Sequence, residues 1–143
     1  SIEGIMGCKY LDAVIKESMR IESPIWILGR ESLGEDTILG YSIKKESSII
    51  FSPYLLHRNE RNWKKPLSFN PDRFIEEPSP KGYIPFGAGP RTCIGNHFAM
   101  LELKTILFNV IKSLSAFISE GKHPGYSYSL TLRPSESINI VFE

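Results

Sequence analysis

Residues Phe86-Gly87-Ala88-Gly89-Pro90-Arg91-Thr92-Cys93-Ile94-Gly95 set a single cysteine in a loop of glycines, a proline and an arginine. Just beyond, residues Phe98 to Leu114 carry Phe98, Met100, Leu101, Leu103, Ile106, Leu107, Phe108, Val110, Ile111 and Leu114, apolar on nearly every face, which predicts a buried helix. Cys93 therefore precedes the N-terminus of a long helix, where unpaired backbone N–H groups and the helix dipole favour an anion, here a thiolate. Gly87, Gly89 and Gly95 permit a tight turn, and their N–H groups can point at the sulfur.

Upstream, residues 59–89 are rich in proline, asparagine and charge; Pro66, Pro71, Pro78, Pro80 and Pro85 forbid long regular elements and predict a meandering loop. A structureless stretch of that length in a compact domain tends to be functional. Further back, Ile25 to Leu28 reads as a short β-like run, Gly34-Glu35-Asp36 as a turn, and Ile38 to Ile43 and Ser48 to Phe51 as strands joined at Lys44-Lys45-Glu46. Tyr10, Leu11, Val14, Ile15 and Met19 have the period of an amphipathic helix that Ser23-Pro24 ends. Downstream of Leu114, Tyr126, Tyr128, Leu130 and Leu132 alternate, Pro134-Ser135-Glu136 turns, and Ile138, Ile140 and Phe142 alternate again, a hairpin pattern. The sum is a mainly α fold with small β-sheets, an α+β chain forming one segment over 1–143, with no repeat and no low-complexity tract.

The chain has the length of one ordinary domain and a formal net charge of +1, with acids and bases interleaved, so nothing marks a nucleic-acid partner. No apolar run approaches the roughly 18 residues that span a bilayer, so no membrane segment is expected. Ser1 stands in place of an initiator methionine and leads almost at once into a helical pattern, as expected of an internal piece of a longer protein. Cys8 and Cys93 lack zinc or disulfide spacing, which points to a reducing compartment. Cys8 reads as an ordinary buried thiol. His57, His97 and His123 have no metal-ligand spacing and read as non-catalytic, and Trp26 and Trp63 as packing residues.

The decad from Phe86 to Gly95 fits F-x-x-G-x-R-x-C-x-G and resembles the cysteine-ligand loop of the cytochromes P-450. Five fixed positions coincide by chance in fewer than about one window in a million. Two more motifs stand in that family's order: Glu17-Ser18-Met19-Arg20 resembles its E-x-x-R, and Pro71-Asp72-Arg73-Phe74 resembles its P-E-R-F with Asp72 replacing glutamate. Alone, the Glu17–Arg20 pair would be an exposed helix salt bridge of about 0.5 kcal/mol or less.

The resemblance implies the C-terminal part of the cytochrome P-450 fold, roughly its last third, with haem b (iron protoporphyrin IX) held by Cys93 as axial thiolate, metal ligand and catalytic centre. Phe86 would pack beside the sulfur; Gly87 and Gly95 would let the backbone approach the macrocycle; Arg91 would pair with a propionate; Ala99 would lie by the haem. Arg30 matches a strand arginine that binds the second propionate in many members, and equally reads as a solvated surface arginine. Glu17, Arg20 and Arg73 would form a buried charged triad. Ile25, Trp26, Ile27 and Leu130 match segments lining the substrate pocket, and equally read as sheet core.

The implied activity is monooxygenation: one atom of O2 enters a small hydrophobic organic substrate, with electrons from a reductase or ferredoxin, and the segment alone is not expected to complete that cycle. The loop and the following Asn96-His97-Phe98-Ala99-Met100-Leu101-Glu102 look most like the branch containing fatty-acid hydroxylases. The alternatives are a haem-binding or sensing module without turnover and a degenerate remnant. A longer reading frame upstream encoding an Ala-Gly-x-Asp-Thr type helix discriminates for the enzyme.

Overall fold

The computed structural model describes residues 4–5, 7–113, 117–120 and 124–142, with 117–120 and 139–142 described by their backbone. His123 and Leu114 lie outside the described residues.

Helix α1 (Lys9–Ile21) has two buried faces. Leu11, Ile15 and Met19, one turn apart, pack with Phe86, Met100, Leu107 and Phe108, so the helix is pressed onto the start of the Phe86–Gly95 loop and the helix beyond it. Burial of each such aliphatic side chain contributes on the order of 1.5–3 kcal/mol. Ala13, Glu17 and Arg20 turn the other way, and Ala13 packs with Trp63 and Phe74 under Tyr83.

Strand β1 (Leu28–Glu31) pairs antiparallel with β4 (Ser48–Phe51), setting Arg30 opposite Ile49. Between them β2 (Asp36–Ile38) and β3 (Tyr41–Ile43) form a separate hairpin. The expected continuous strand over 38–43 is thus broken, and the strand at 48–51 pairs with β1 instead of its sequence neighbour. The break is a two-residue turn with Leu39 at φ 51° and Gly40 at φ 85°, the left-handed pair of a tight hairpin. The β-like run expected from Ile25 starts only at Leu28, the Trp26 carbonyl being taken by Ser52 Oγ (2.5 Å) instead of a ladder partner, while Pro24 O accepts the Leu132 N–H and the Trp26 indole N–H goes to Ser129 O. Asp36, expected in a turn, opens β2.

Leu39 is 94 % exposed and gains no packing for its strained φ. Leu39→Asn is expected to raise stability by about 0.5–1 kcal/mol, asparagine being the low-cost residue at that turn position; an unchanged urea midpoint contradicts this.

Short helix α2 (Pro53–Leu56) starts at Ser52, whose hydroxyl accepts the Leu55 N–H, and α3 (Asp72–Glu76) interrupts the meandering stretch. A 3-10 turn (Gly89–Arg91) leads into Cys93, and α4 (Asn96–Ser113) follows. The expectation that α4 is buried on all sides fails within this chain: Lys104 is its buried residue, whereas Phe98 is 71 % exposed and Ile106 and Ile111 are also open. The tail differs too. Strand β6 (Tyr126–Tyr128) pairs with β7 (Leu132–Pro134) around a tip at 129–131, and β8 (Asn139–Phe142) pairs with β5 (Phe117–Glu120). The hairpin turn therefore falls at Leu130, not at Pro134-Ser135-Glu136.

Candidate functional site

The three charged residues separated in sequence meet at one point. Arg20 donates through Nε to Glu17 Oε2 (2.7 Å) and through Nη2 to Glu17 Oε1 (2.9 Å), a bidentate pair with no solvent exposure on either side chain. Its other donors go to His57 O (2.7 Å), Pro66 O (2.7 Å) and Ser68 O (3.3 Å). All five guanidinium N–H groups are thereby used. Glu17 Oε1 also accepts from Arg73 Nε (3.1 Å) and from the Asn70 N–H (2.8 Å). Burial pushes the Glu17 carboxyl up, but the Arg20 and Asn70 hydrogen bonds and the charges of Arg20 and Arg73 outweigh it and hold it below its ordinary value. Trp63 lies within cation–π range of both guanidiniums, 5.0 Å from Arg20 and 5.9 Å from Arg73. One helix carboxylate thus ties the meandering stretch to α1.

The Cys93 loop hangs from the end of that stretch. The Gly87 N–H donates to Ile84 O (3.1 Å) and the Cys93 N–H to Phe86 O (2.9 Å), so two turns fix the loop at both ends. Gly87 (φ 76°) and Gly89 (φ 73°) hold conformations that strain any other residue. The expectation that Gly87 aims its N–H at the sulfur is corrected, since that donor is committed to Ile84 O. A Cβ at Gly95 would sit 3.8 Å from Cys93 Sγ, so glycine leaves one flank of the sulfur clear. Gly95 O accepts the Ala99 N–H (2.9 Å), which opens the first turn of α4 and leaves that helix's leading N–H groups beside the loop.

Cys93, Arg91, Arg30, Phe86, Gly87 and Ile25, together with Leu28 and Pro85, line one cleft of about 230 Å3. Cys93 and Cys8 are both exposed thiols, which corrects the buried reading of Cys8. Among the described residues neither Arg30 nor Arg91 has a carboxylate partner, and Arg30 instead donates to Gly29 O (2.8 Å) and lies 5.7 Å from the Phe51 ring. An exposed thiol, two guanidiniums without carboxylate partners and an apolar wall would suit an iron-bearing macrocycle with carboxylate arms. Trp26, Ile27 and Leu130 do not line the cleft. Trp26 packs edge-on against Tyr128 at 5.4 Å, and Leu130 is 87 % exposed at the hairpin tip.

His57, set aside by the sequence reading, is fully buried at the centre of these contacts. Its Nε2 accepts the Ile84 N–H (2.9 Å), so the neutral ring carries its proton on Nδ1, which faces Ser23 Oγ at 2.9 Å. Burial, then the Arg20 charge, depress its pKa to about 4. No local signal marks it, because Ser23 and Ile84 are 34 and 27 residues away. His97 lines a separate cavity beside Phe86, Gly87 and Met100. No group of acidic, histidine or cysteine side chains suited to a bare metal ion occurs among the described residues, and no described helix is long and apolar enough to cross a membrane.

The family model "Cytochrome P450" matches residues 1–142. Cytochrome P450 4V2 of Rattus norvegicus is 39 % identical over 146 residues, covering 98 % of this chain and 28 % of that protein, and that of Homo sapiens is 34 % identical with the same coverage. Among solved structures, the cytochrome P450DA heme domain superposes at a TM-score of 0.87 with 27 % identity, covering all of this chain and 33 % of that one. The retinoic acid bound cyanobacterial CYP120A1 reaches 0.89 at 24 % identity, a likeness of fold. The chain belongs to the cytochrome P450 family, and it spans 28 % of the length of these curated relatives.

Proposed function

We propose that this chain supplies the haem-binding floor of a monooxygenase that inserts one atom of O2 into a small hydrophobic organic substrate. The observation that carries the reading is the convergence of Cys93, Arg91 and Arg30 on one cleft. In it Cys93 would hold the iron as thiolate, with the N-terminus of α4 favouring the negative charge. Arg91 and Arg30 would pair with the two carboxylate arms. Phe86 shields the sulfur from water, and Gly87 and Gly95 keep side chains out of the contact. Ala99, in the first turn of α4, does not line the cleft and is assigned to the haem side only through its place next to the loop.

Haem bound there would supply oxygen activation, with electrons from a reductase or ferredoxin and the second oxygen atom leaving as water. Ile25 lines the cleft, while Trp26, Ile27 and Leu130 belong to neighbouring segments tied together by the Leu132–Pro24 hydrogen bond and are assigned to the substrate side at longer range.

The deciding experiment is the reduced carbon-monoxide difference spectrum of the full-length protein beside its Cys93→Ser variant. The thiolate-type Soret band is expected in the parent and absent in the variant. Failure to take up haem, or a spectrum indifferent to the substitution, overturns the assignment.

A further inference from the structure

We propose that His57 is a positioning residue for the Cys93 loop: by accepting the Ile84 amide it fixes the strap that carries Phe86 and Gly87 into the cleft. The inference rests on Cys93 being the haem ligand and adds a residue outside the loop that controls it.

The strap from Tyr83 to Gly87 approaches Cys93 with few anchors. Its Ile84 N–H finds its acceptor in His57 Nε2 at 2.9 Å, and Ile84 O in turn holds the Gly87 N–H at 3.1 Å. Two residues on, Phe86 O holds the Cys93 N–H at 2.9 Å. The path from the imidazole to the Cys93 amide is thus two hydrogen bonds and three residues of backbone, braced by the Ile84–Gly87 turn. At its other end the ring is clamped. His57 O takes Arg20 Nη1, Ser23 Oγ faces Nδ1 and itself reaches Met19 O (3.2 Å), and the ring lies tilted on Tyr83 with centroids 5.4 Å apart. The charged triad, which touches nothing in the loop directly, reaches Cys93 through His57.

This geometry requires neutral imidazole. A second proton would sit on Nε2 and point a donor at the Ile84 donor, breaking the anchor. The charged and titratable groups facing the ring are Arg20, with Glu17 behind it, from α1, Arg58 next along the chain, and Tyr83 from the strap. Burial, then the two arginines, oppose protonation, so the anchor holds at neutral pH and opens as pH falls toward about 4.

Two substitutions in the full-length holoprotein separate the roles. His57→Gln keeps an acceptor for Ile84 but cannot titrate, and His57→Asn is too short to reach it while retaining the Ser23 side. Hydrogen exchange over Ile84–Gly87, measured in haem-free protein as well, is expected to speed up by about tenfold or more in His57→Asn at pH 7 and to stay near parental in His57→Gln. In the parent the thiolate-type carbon-monoxide band should be lost as pH falls toward about 4, and His57→Gln should keep it to a lower pH. The same loss midpoint in His57→Gln and parent, or unchanged exchange in His57→Asn, overturns the proposal. If His57→Asn does not fold, the midpoint in His57→Gln decides alone. Loss of the Cys93 assignment would leave the exchange result intact, so the two failures are distinguishable.

Discussion

Arg20→Met is expected to destabilise the fold by about 3–5 kcal/mol, enough to deplete the native state of an ordinary domain. The methionine fills similar volume, so lost packing is a minor part of the effect. The larger part is what remains. Glu17, with no exposure, keeps Arg73 and the Asn70 N–H but loses its bidentate partner, while the carbonyls of His57 and Pro66 lose their side-chain donor in the interior and Ser68 O keeps only Arg73 Nη2 (3.4 Å). Arg20→Lys should rescue little, because an ammonium offers three donors where five are in use and cannot span both carboxylate oxygens. The measurement is urea unfolding of both variants together with Glu17→Gln and the Glu17→Gln/Arg20→Met double variant. The double should cost less than the two singles added, since it leaves no unpaired carboxylate. A lysine variant as stable as the parent would falsify the claim that fork geometry, rather than charge alone, holds the strap.

What the sequence disclosed followed the range of the interactions. The loop from Phe86 to Gly95 was legible because its constraints are local: glycines in left-handed conformations, a turn closed on Phe86 O, a helix that starts at once. Helix α1 was legible on the face built from Leu11, Ile15 and Met19, because apolar periodicity reports it. Its second face is polar, and it came only from the motif at Glu17 and Arg20. Strand pairing was not legible. Ser48–Phe51 could join either Tyr41–Ile43 or Leu28–Glu31, and the choice is made by Leu39-Gly40, where leucine conceals a turn that asparagine would have announced. The apolar pattern of α4 says that its faces are compatible with cover, but not what covers Phe98 or Ile106. His57 was illegible because both hydrogen-bond partners of its ring, Ser23 and Ile84, are distant in sequence and a lone histidine has no periodic signature.

The same histidine sets the acid stability of the fold. In the unfolded chain His57 titrates near its ordinary value of 6.5, and in the folded chain its pKa is about 4. Between those values the unfolded state binds the extra proton, so stability is complete above about pH 6.5 and falls as pH falls, by about 3 kcal/mol in all by pH 4. Glu17 and Asp12 act in a lower window. In both carboxyls burial alone would raise the pKa, but for Glu17 the Arg20 and Asn70 hydrogen bonds with the charges of Arg20 and Arg73, and for Asp12 the hydrogen bonds and charges of Lys104 and Lys16, prevail and lower it. Their stability is present above the ordinary carboxylate range and is lost as pH falls through it. Two acid phases are therefore expected, and His57→Gln should remove the first and leave the second. The measurement is the urea midpoint of parent and variant across pH 7 to 3. Parallel curves from pH 7 to 4 would assign the loss in that interval to other groups and leave the His57 ring as a packed, non-titrating part of the core.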